Sequence, residues 1–406
     1  MTNGDQPPGR ALDVLIAGAG LAGLTAAFGL AQAGFDVVCC GAAERTGRGR
    51  TVALLDQSVG FLNSLGLWTG LRAQAAPLRA LRIIDDTGTL FPPRPVEFHA
   101  AEIGLDAFGW NIENDLMAEA LAAAVAQNPS VERVAAGVGA YDFGADAVRA
   151  RLTDGRMISV RVAIGADGRA SKARRAAGLE ARVHRYPQSA LTVHLTHRLP
   201  HDDFSTEFHT RGGPFTLVPL PAGSAAPNRS SLVWVMSEEE ARRRKALDDE
   251  ALSREIELEA HSLLGAVRIE GTRGFFPMER QIVPKIVGRR LALVGDAAHV
   301  LPPIGAQGLN LGLRDVAAII AVAIEARAEG GDIGGAGTLS AYERARRADI
   351  ALRTRAVDGL NQSLLTRFAP IDVARGAGLT TLSTVGPLRR LMMRAGIGPR
   401  LADRTP

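Results

Sequence analysis

The stretch "VLIAGAGLAGL", residues 14–24, decides the fold of this chain. Four apolar residues precede Gly18, Gly20 and Gly23, whose spacing is G-x-G-x-x-G, and an Ala- and Leu-rich run follows them. This order predicts a buried strand, a glycine turn and a helix, which together open a βαβ unit. The first glycine permits the tight turn, the second lets the backbone approach a pyrophosphate, and the third lets the helix pack on the strand. The stretch therefore predicts a dinucleotide site at the helix N-terminus, where the helix dipole favours an anion.

The composition is that of a globular protein of 406 residues, with 46% apolar and 22% charged residues. That length suits two interleaved domains, or a domain with a cap, better than a single core. The net charge of +4 is too small an excess to indicate a nucleic-acid partner, although the pI is about 9.5. An acidic substrate and an anionic membrane surface both stay open.

The two cysteines, Cys39 and Cys40, are adjacent in "FDVVCC", which the apolar pattern predicts to be the second strand. Their side chains should point to opposite faces, so a disulfide framework is excluded and a reducing, cytoplasmic setting follows. The leader "MTNGDQPPGRALD" lacks the apolar core of a signal peptide. The apolar run at residues 316–326 is shorter than the roughly 20 residues that span a bilayer, so we expect no transmembrane helix.

The pattern along the chain alternates between two kinds of structure. Short β-like runs occur between residues 78 and 97, and "ENDLMAEALAAAVAQ" then returns to a strong helical pattern. Between residues 191 and 235, "LTVHLTHRL", "FTLVPLP" and "SSLVWVM" predict strands of a second sheet. A capping box at Ser237 and Glu240 predicts the start of a solvated helix. The chain therefore leaves one domain and later returns to it.

Two further motifs follow predicted strands. In "VAIGADGRASKAR" a strand ends before Asp167, and Ser171 and Arg174 come shortly after it. In "LVGDAAHVLPPIGAQGLNLGLRD" a strand ends at Gly295 and Asp296, and "GAQGLN" opens a long apolar helix. An Asp at the carboxyl end of a strand can hold a ribose or ribityl hydroxyl, and a helix N-terminus stabilises negative charge. Each motif alone is modest, but the three in this order are highly specific.

With these three motifs, the sequence resembles the group A flavin monooxygenases of the para-hydroxybenzoate hydroxylase-like fold. It is most similar to the ubiquinone-biosynthesis hydroxylases, also through "GRTVALLDQSVGFLNSLGLW", "NIENDLMAEAL" and "YERARRADIALRTRAVDGLNQSL". The resemblance runs from about residue 13 to about residue 398. It implies an α/β fold in which a Rossmann-like FAD-binding domain is interleaved with a β-sheet substrate domain and followed by a C-terminal helical region. We place FAD-binding segments at 11–76, 101–180 and 276–335, substrate segments at 77–100 and 181–275, and the helical region at 336–406.

The resemblance also implies which residues contact FAD. Arg50 and Asn114 would reach the phosphate or ribose side, and Asp296 would hold the ribityl chain. Asp167 belongs to the motif that in the family touches both FAD and the reducing nucleotide. Pro303 would lie near the reactive face of the flavin ring. The remaining implied contacts are Gly18, Gly20, Leu21, Ala22 and Gly23 on the pyrophosphate, Val138, Gly305, and the backbone of Gly308, Leu309 and Asn310.

The chain departs from the family pattern at two positions. Gly41 stands where an acidic ribose ligand is expected at the end of the second strand, and Ala306 stands where the helix-opening pattern has glycine. Either Glu44 bends back to the ribose or no acid does. Loss of the charge-assisted bonds would weaken FAD binding about tenfold or more. We therefore expect substoichiometric FAD, and tighter binding in Gly41→Glu if the strand end has room.

The family chemistry implied here is ring hydroxylation of a polyprenyl phenol in ubiquinone biosynthesis, through a flavin 4a-hydroperoxide. NADH, NADPH or a protein donor would supply electrons, and a ubiquinone-biosynthesis complex is a possible partner. A soluble aromatic or secondary-metabolite substrate is the first alternative, and a non-catalytic scaffold in a biosynthetic complex is the second. No catalytic side chain is assigned, because the chemistry belongs mainly to the cofactor.

Other residues give weaker signals. His299 is interpreted as structural, and the histidines between residues 184 and 209 lack metal-ligand spacing, so no metal site is predicted. The three tryptophans are interpreted as packing residues, although Trp234 could line a pocket. Near the end, Leu388, Leu391 and Met392 share a helical side with arginines around them. That pattern suits a peripheral membrane surface, or a helix packed on its own domain.

Overall fold

The computed structural model describes residues 12–42, 49–88, 94–223, 226–365, 378 and 380–397. The strands in these ranges are β1 Leu12–Ala17, β2 Val37–Cys40, β3 Thr51–Leu55, β4 Ala75–Pro77, β5 Ala80–Asp85, β6 Val96–His99, β7 Gly109–Glu113, β8 Val131–Val134, β9 Val138–Phe143, β10 Val148–Leu152, β11 Met157–Gly165, β12 Arg182–His197, β13 Phe204–Thr210, β14 Gly213–Leu220, β15 Arg229–Ser237, β16 Val267–Ile282, β17 Val287–Gly288, β18 Leu291–Leu293 and β19 His299–Val300. The α-helices are α1 Leu21–Gln32, α2 Asp56–Ser64, α3 Trp68–Arg72, α4 Asn114–Gln127, α5 Lys172–Ala176, α6 Glu238–Lys245, α7 Asp249–Glu259, α8 Gln307–Ala328, α9 Ala336–Leu365 and α10 Gly386–Ile397.

The first sheet has a parallel core in the order β18-β11-β1-β2-β8, which is the order of a doubly wound fold. Its strand ends are level, because Ala17 pairs with both Gly165 and Cys40, and Gly165 pairs with Leu293. The carboxyl ends of four parallel strands therefore meet at one edge. The glycine turn, the Asp167 loop and the Asp296 turn all follow strands that end at this edge.

The second sheet has the order β19-β16-β12-β15-β14-β13-β5-β6 and is antiparallel except where β13 runs parallel to β5. Three of its strands, β13, β16 and the two-residue β19, are absent from the strands predicted above. Because side chains alternate along a strand, the sheet has an outer face with Leu232 and Trp234 and an inner face with Ser231 and Val233. The outer face packs under α6 and α7, where Leu252 and Ile256 are fully buried.

A three-stranded sheet, β3-β7-β4, joins the two larger sheets. Thr51 Oγ1 lies 2.9 Å from Ser231 Oγ, and Asn111 Nδ2 donates to Pro219 O at 2.8 Å. These contacts fix β3 and β7 against the inner face of the second sheet. The six predicted domain segments stay a prediction, because strand pairing alone does not set domain boundaries.

The C-terminal helix α10 packs on the edge of the second sheet. Met393 and Ile397 are buried with Val96 and Phe98 of β6, and Arg389 forms an ion pair of 2.7 Å with Glu102. The opposite side of α10 stays exposed. Of the two alternatives for this helix, packing on its own domain therefore applies to one of its sides. Within the described ranges, every helix is too short or too polar to cross a bilayer.

Candidate cofactor and substrate site

The glycine turn has the geometry that its sequence predicts. Gly18 has a φ of +119°, and a Cβ there would lie 2.2 Å from the carbonyl oxygen of Ala166. A Cβ on Gly23 would lie 2.0 Å from the carbonyl oxygen of Gly18, whereas a Cβ on Gly20 would meet nothing within 4 Å. The first and third glycines are therefore required by packing. The second leaves open the side from which a pyrophosphate would approach.

The three motifs form one site. Ala166 N donates to Ala17 O at 2.8 Å, and Val294 N donates to Gly165 O at 3.0 Å. Arg174 is buried and donates to Ala297 O at 2.9 Å, so it connects the second motif to the third. The predicted Asp167 and Asp296 turns are thus held in fixed relation to the first glycine turn.

Two helix N-termini open onto this site. Gly20 caps α1 and Ala306 caps α8, and in the described part of the chain neither end has a side-chain cap or an acidic first turn. Their backbone N–H groups carry the positive ends of the helix dipoles. FAD has a pyrophosphate and a flavin ring that becomes anionic on reduction, so both ends fit this cofactor.

Polar groups suited to hydroxyl and phosphate groups are available at three of the predicted positions. Asp296 is exposed, and its carboxylate has no hydrogen bond or ion pair with the described residues. The Oδ1 atom of Asn114 is buried without a partner in the same ranges. Arg50 is exposed, with its guanidinium 5.4 Å from the centre of the Phe276 ring. These atoms fit the predicted ribityl, ribose and phosphate contacts, which stay predictions.

Asp167 has partners within its own loop, besides the contacts that the resemblance implies. Its carboxylate accepts from the Ser171 hydroxyl and from the backbone N–H groups of Lys172 at 2.7 Å and Ala173 at 3.0 Å. It therefore satisfies two free N–H groups at the start of α5, whose N-cap residue is Ser171, and shapes the loop. A direct contact with FAD or a reducing nucleotide stays a prediction.

The loop before α8 contains Ala306, the second departure from the family pattern. Ala306 has φ +53° and ψ 32°, the left-handed conformation that glycine adopts without cost. An alanine in that conformation costs about 1–2 kcal/mol. The strain is held by Asn310, whose Nδ2 donates to Ala306 O at 2.6 Å and to Ala53 O at 2.8 Å. Asn310 thus ties α8 to β3, and only its backbone is available for the flavin contact that was predicted.

The other predicted positions lie around this loop or at the adenosine side. Pro303 and Gly305 are exposed, and Gly308 has open space beyond its Cα atom. Val138 is 6% exposed at the start of β9, so any cofactor contact there would use its backbone. Leu21 and Ala22 are half-buried in the first turn of α1, and Leu309 is half-buried in that of α8.

Gly41 has less room than the sequence suggests. Its N–H donates to Val134 O at 2.9 Å, its φ is +142°, and a Cβ would lie 3.1 Å from Ala19 N. A side chain at this position is strained whatever its chemistry. The condition set for Gly41→Glu, room at the strand end, is therefore not met, so tighter FAD binding no longer follows for this variant. Glu44 lies outside the described residues.

A buried charge cluster lies beneath the Asp296 turn and was not predicted. Asp315 is fully buried and accepts from Gly295 N at 3.0 Å, from His299 at 2.6 Å and from Arg346 at 2.7 Å. Burial alone would raise the pKa of this carboxyl, but His299 and Arg346 hold it below its ordinary value. The structural interpretation of His299 agrees with this arrangement. The sequence signal for this buried cluster was a charged Arg-Asp pair inside an otherwise apolar helix.

The weaker candidates do not add a catalytic group. Trp234 is 2% exposed on the outer face, where it packs edge-to-face with Phe215, so it does not line the inner face. Cys39 and Cys40 are buried, and burial raises their thiol pKa values to about 11 and about 12. Across the described ranges, His, Cys, Asp and Glu side chains form no group of three that could hold a metal ion.

The fold and the site together define an FAD-dependent monooxygenase. A family model described as an FAD binding domain matches residues 11–356, and the chain belongs to this family. It is 34% identical to the "Ubiquinone hydroxylase UbiL" of Rhodospirillum rubrum over 399 residues, which cover 96% of this chain and 90% of that protein. It is 31% identical to the "3-demethoxyubiquinol 3-hydroxylase" of Escherichia coli, covering 95% of this chain and 98% of the relative.

Solved structures have the same fold. The p-nitrophenol 4-monooxygenase PnpA of Pseudomonas putida matches with a TM-score of 0.79 at 18% identity, covering 97% of this chain and 99% of that one. The HpxO protein of Klebsiella pneumoniae, solved with FAD, matches with a TM-score of 0.75 at 21% identity, over 95% and 98% of the two chains. The predicted fold class, cofactor and enzyme class are confirmed.

Proposed function

We propose that this chain hydroxylates the aromatic ring of a polyprenyl phenol in ubiquinone biosynthesis. The observation that carries the proposal is the similarity over almost the whole chain to two relatives whose names specify ubiquinone-type hydroxylation. The scaffold alternative lacks support, because the glycine turn, Asp296 and both open helix N-termini are intact.

FAD, when bound, supplies the activation of dioxygen for insertion into the ring. The chain's own residues bind and orient it: α1 and α8 direct N–H groups towards its anionic parts, and Asp296 offers a carboxylate to a hydroxyl. The inner face of the second sheet, next to the loop at residues 301–306, orients the substrate ring. Ile304 is buried there in one apolar cluster with Ala190 and Val235, which would keep water from that side of the ring.

The surface of α10 supports a substrate that comes from a membrane. Leu391 is 65% exposed and Met392 is 53% exposed, with the exposed Arg390 and Arg394 beside them. Apolar residues flanked by arginines suit an anionic membrane surface. We place peripheral association on this side of α10, because the other side packs on β6.

The first test is product formation by the purified protein. We expect FAD in the purified enzyme, oxidation of NADH or NADPH, and a product of 2-geranylphenol that is one oxygen atom heavier by mass spectrometry. A strain lacking the gene should accumulate an under-hydroxylated prenyl phenol. Normal ubiquinone in that strain, with turnover only of unprenylated phenols, would favour the soluble-substrate alternative.

A second test addresses the cofactor site. Asp296→Ala should weaken FAD binding about tenfold or more, because it removes a charge-assisted hydrogen bond. Asp142→Ala, which removes an exposed carboxylate from β9, is the matched control and should retain FAD. Equal FAD affinity in both variants would remove Asp296 from the site.

A further inference from the structure

A row of side chains crosses the centre of the inner face. Ile83 of β5 pairs with Glu207 of β13, Glu207 with Thr216 of β14, Thr216 with Val233 of β15, and Val233 with Thr192 of β12. Directly paired residues point to the same face of a sheet. The five side chains therefore form one line across five neighbouring strands.

This row lies between two covered parts of the inner face. On one side, two residues along β15, Ser231 is covered by Thr51 of β3 and by Asn111 of β7. On the other side, Val235 is covered by Ile304, from the loop that precedes α8. Between these covers, Ile83, Glu207, Thr216 and Val233 are only half-buried, although they lie in the middle of an eight-stranded sheet. The row therefore faces the space where the substrate ring would meet the flavin.

Glu207 is the charged member of the row, and its carboxylate is held in position. Its Oε1 lies 2.9 Å from Nε2 of His209, the next inner-face residue on β13. Its Oε2 accepts from the Thr216 hydroxyl at 3.3 Å. A carboxylate accepts about four hydrogen bonds, so two fixed partners leave it capacity for a hydroxyl of the substrate.

We infer that Glu207 accepts the ring hydroxyl of the phenol and takes its proton during hydroxylation, a role that rests on the proposed function. When the ring carbon gives its electron pair to the incoming oxygen atom, the ring hydroxyl becomes strongly acidic. The O–H bond then breaks, its electron pair stays on the ring oxygen, and the proton passes to the Glu207 carboxylate. The ring carbon then gives its own proton to water, its C–H electron pair restores aromaticity, and the ring oxygen recovers a proton from Glu207.

The same carboxylate sets substrate specificity. Thr192, Thr216, Val233 and Ile83 are uncharged, and the His209 imidazole is already paired with Oε1 of Glu207. A carboxylate on the substrate ring would therefore meet a like charge at Glu207. Like charges at short distance in a partly buried site disfavour binding. The site therefore selects a neutral phenol over a hydroxybenzoate of the same size.

The decisive experiment is a binding comparison that does not depend on turnover. FAD-loaded wild type and Glu207→Gln are titrated with 2-geranylphenol and with its methyl ether, following the flavin absorption spectrum. We expect wild type to bind the phenol at least tenfold more tightly than the ether, and Glu207→Gln to lose this preference. A preference that survives in Glu207→Gln, or is missing in wild type, overturns the assignment.

Turnover separates this inference from the proposed function. We expect the kcat of Glu207→Gln to fall about 100-fold or more on 2-geranylphenol, with FAD retained. Glu97→Gln, which alters a carboxylate paired with Arg82 at 2.9 Å outside the row, is the control and should keep the wild-type rate. If Glu207→Gln does not fold, Thr216→Val, which removes one donor to the carboxylate, should show an intermediate loss of phenol preference. Wild-type inactivity on prenyl phenols with the binding preference intact would contradict only the proposed function.

Discussion

The two faces of the second sheet are formed by the same strands but differ in burial: the outer face is fully packed, and the inner face is partly open. On the outer face, Phe215 and Trp234 pack with their ring centres 5.1 Å apart, and both are almost fully buried. On the inner face, Val233, the neighbour of Trp234 along the chain, is half-buried. The comparison shows that one face supplies the stability that lets the other remain open for a ligand.

The strongest test of this division is Trp234→Ala. Its indole also lies 3.9 Å from the guanidinium of Arg244, so truncation leaves a cavity under α6. We expect a loss of about 3–5 kcal/mol in the free energy of unfolding, measured by urea denaturation. A loss below about 1 kcal/mol would show that the outer face is not the main source of stability for the sheet.

The pH dependence of the unfolding free energy tests one buried histidine on each face. Burial is the main cause that lowers the pKa values of His194 on the inner face and His197 on the outer face. In the unfolded chain both protonate near pH 6.5, so the unfolded state binds more protons as the pH falls below that value. The free energy of unfolding should therefore fall below about pH 6.5, by at most about 1.4 kcal/mol per pH unit for each histidine.

Single variants separate the two contributions. His194 faces the charged groups Glu113, Asp115, Arg229 and Glu270, and the carboxylates among them oppose the effect of burial. His194→Gln and His197→Gln should each flatten the acid side of the stability curve, measured by thermal unfolding between pH 7 and pH 5. His184→Gln, at an exposed position, is the control. An unchanged slope in both buried-site variants would contradict the prediction.

A smaller effect is expected where the inner face is covered. Ser231 is 1% exposed, and its hydroxyl lies 2.9 Å from Thr51 Oγ1 and accepts from Asn111 at 3.3 Å. Ser231→Ala should cost about 1–2 kcal/mol, because it leaves the Thr51 hydroxyl without this partner. A double-mutant cycle with Thr51→Val measures the coupling between the two hydroxyls. Strict additivity would mean that their contact does not hold β3 on the sheet.

The smallest stability effect should come from Val233→Ala in the open row. A half-buried valine loses little packing, so we expect a change of less than about 1 kcal/mol in unfolding free energy. The KM for 2-geranylphenol should change more than the stability, because the methyl groups face the substrate. A stability loss as large as that of Trp234→Ala would remove the distinction between the faces.

The sequence predicted well where the reason for a residue is local. Gly23 is required by a contact within its own turn, with the carbonyl oxygen of Gly18, and Ser237 caps α6 by accepting from Glu240 N at 3.2 Å. Such requirements leave a pattern in a short window. The resemblance then extended this local reading to the full chain.

Prediction failed where the reason lies in distant pairing. The strand with Glu207 and His209 was missed because "FSTEFHT" has little apolar character, and its role depends on β5 and β14 on either side. The i, i+2 spacing of Glu207 and His209 was the available signal that they share a face. For Asp167 the motif was found from the sequence, but its hydrogen bonds to the start of α5 were visible only in the folded loop.

The backbone conformation of Gly41 limits how an acidic ligand could be introduced at the end of β2. The family's acidic ligand cannot return by one substitution, because the backbone at φ +142° would be strained before the carboxylate reached any partner. An acid at this position would need a second change that alters the backbone conformation of this peptide. Engineering of tighter FAD binding is therefore better directed to other positions around the cofactor.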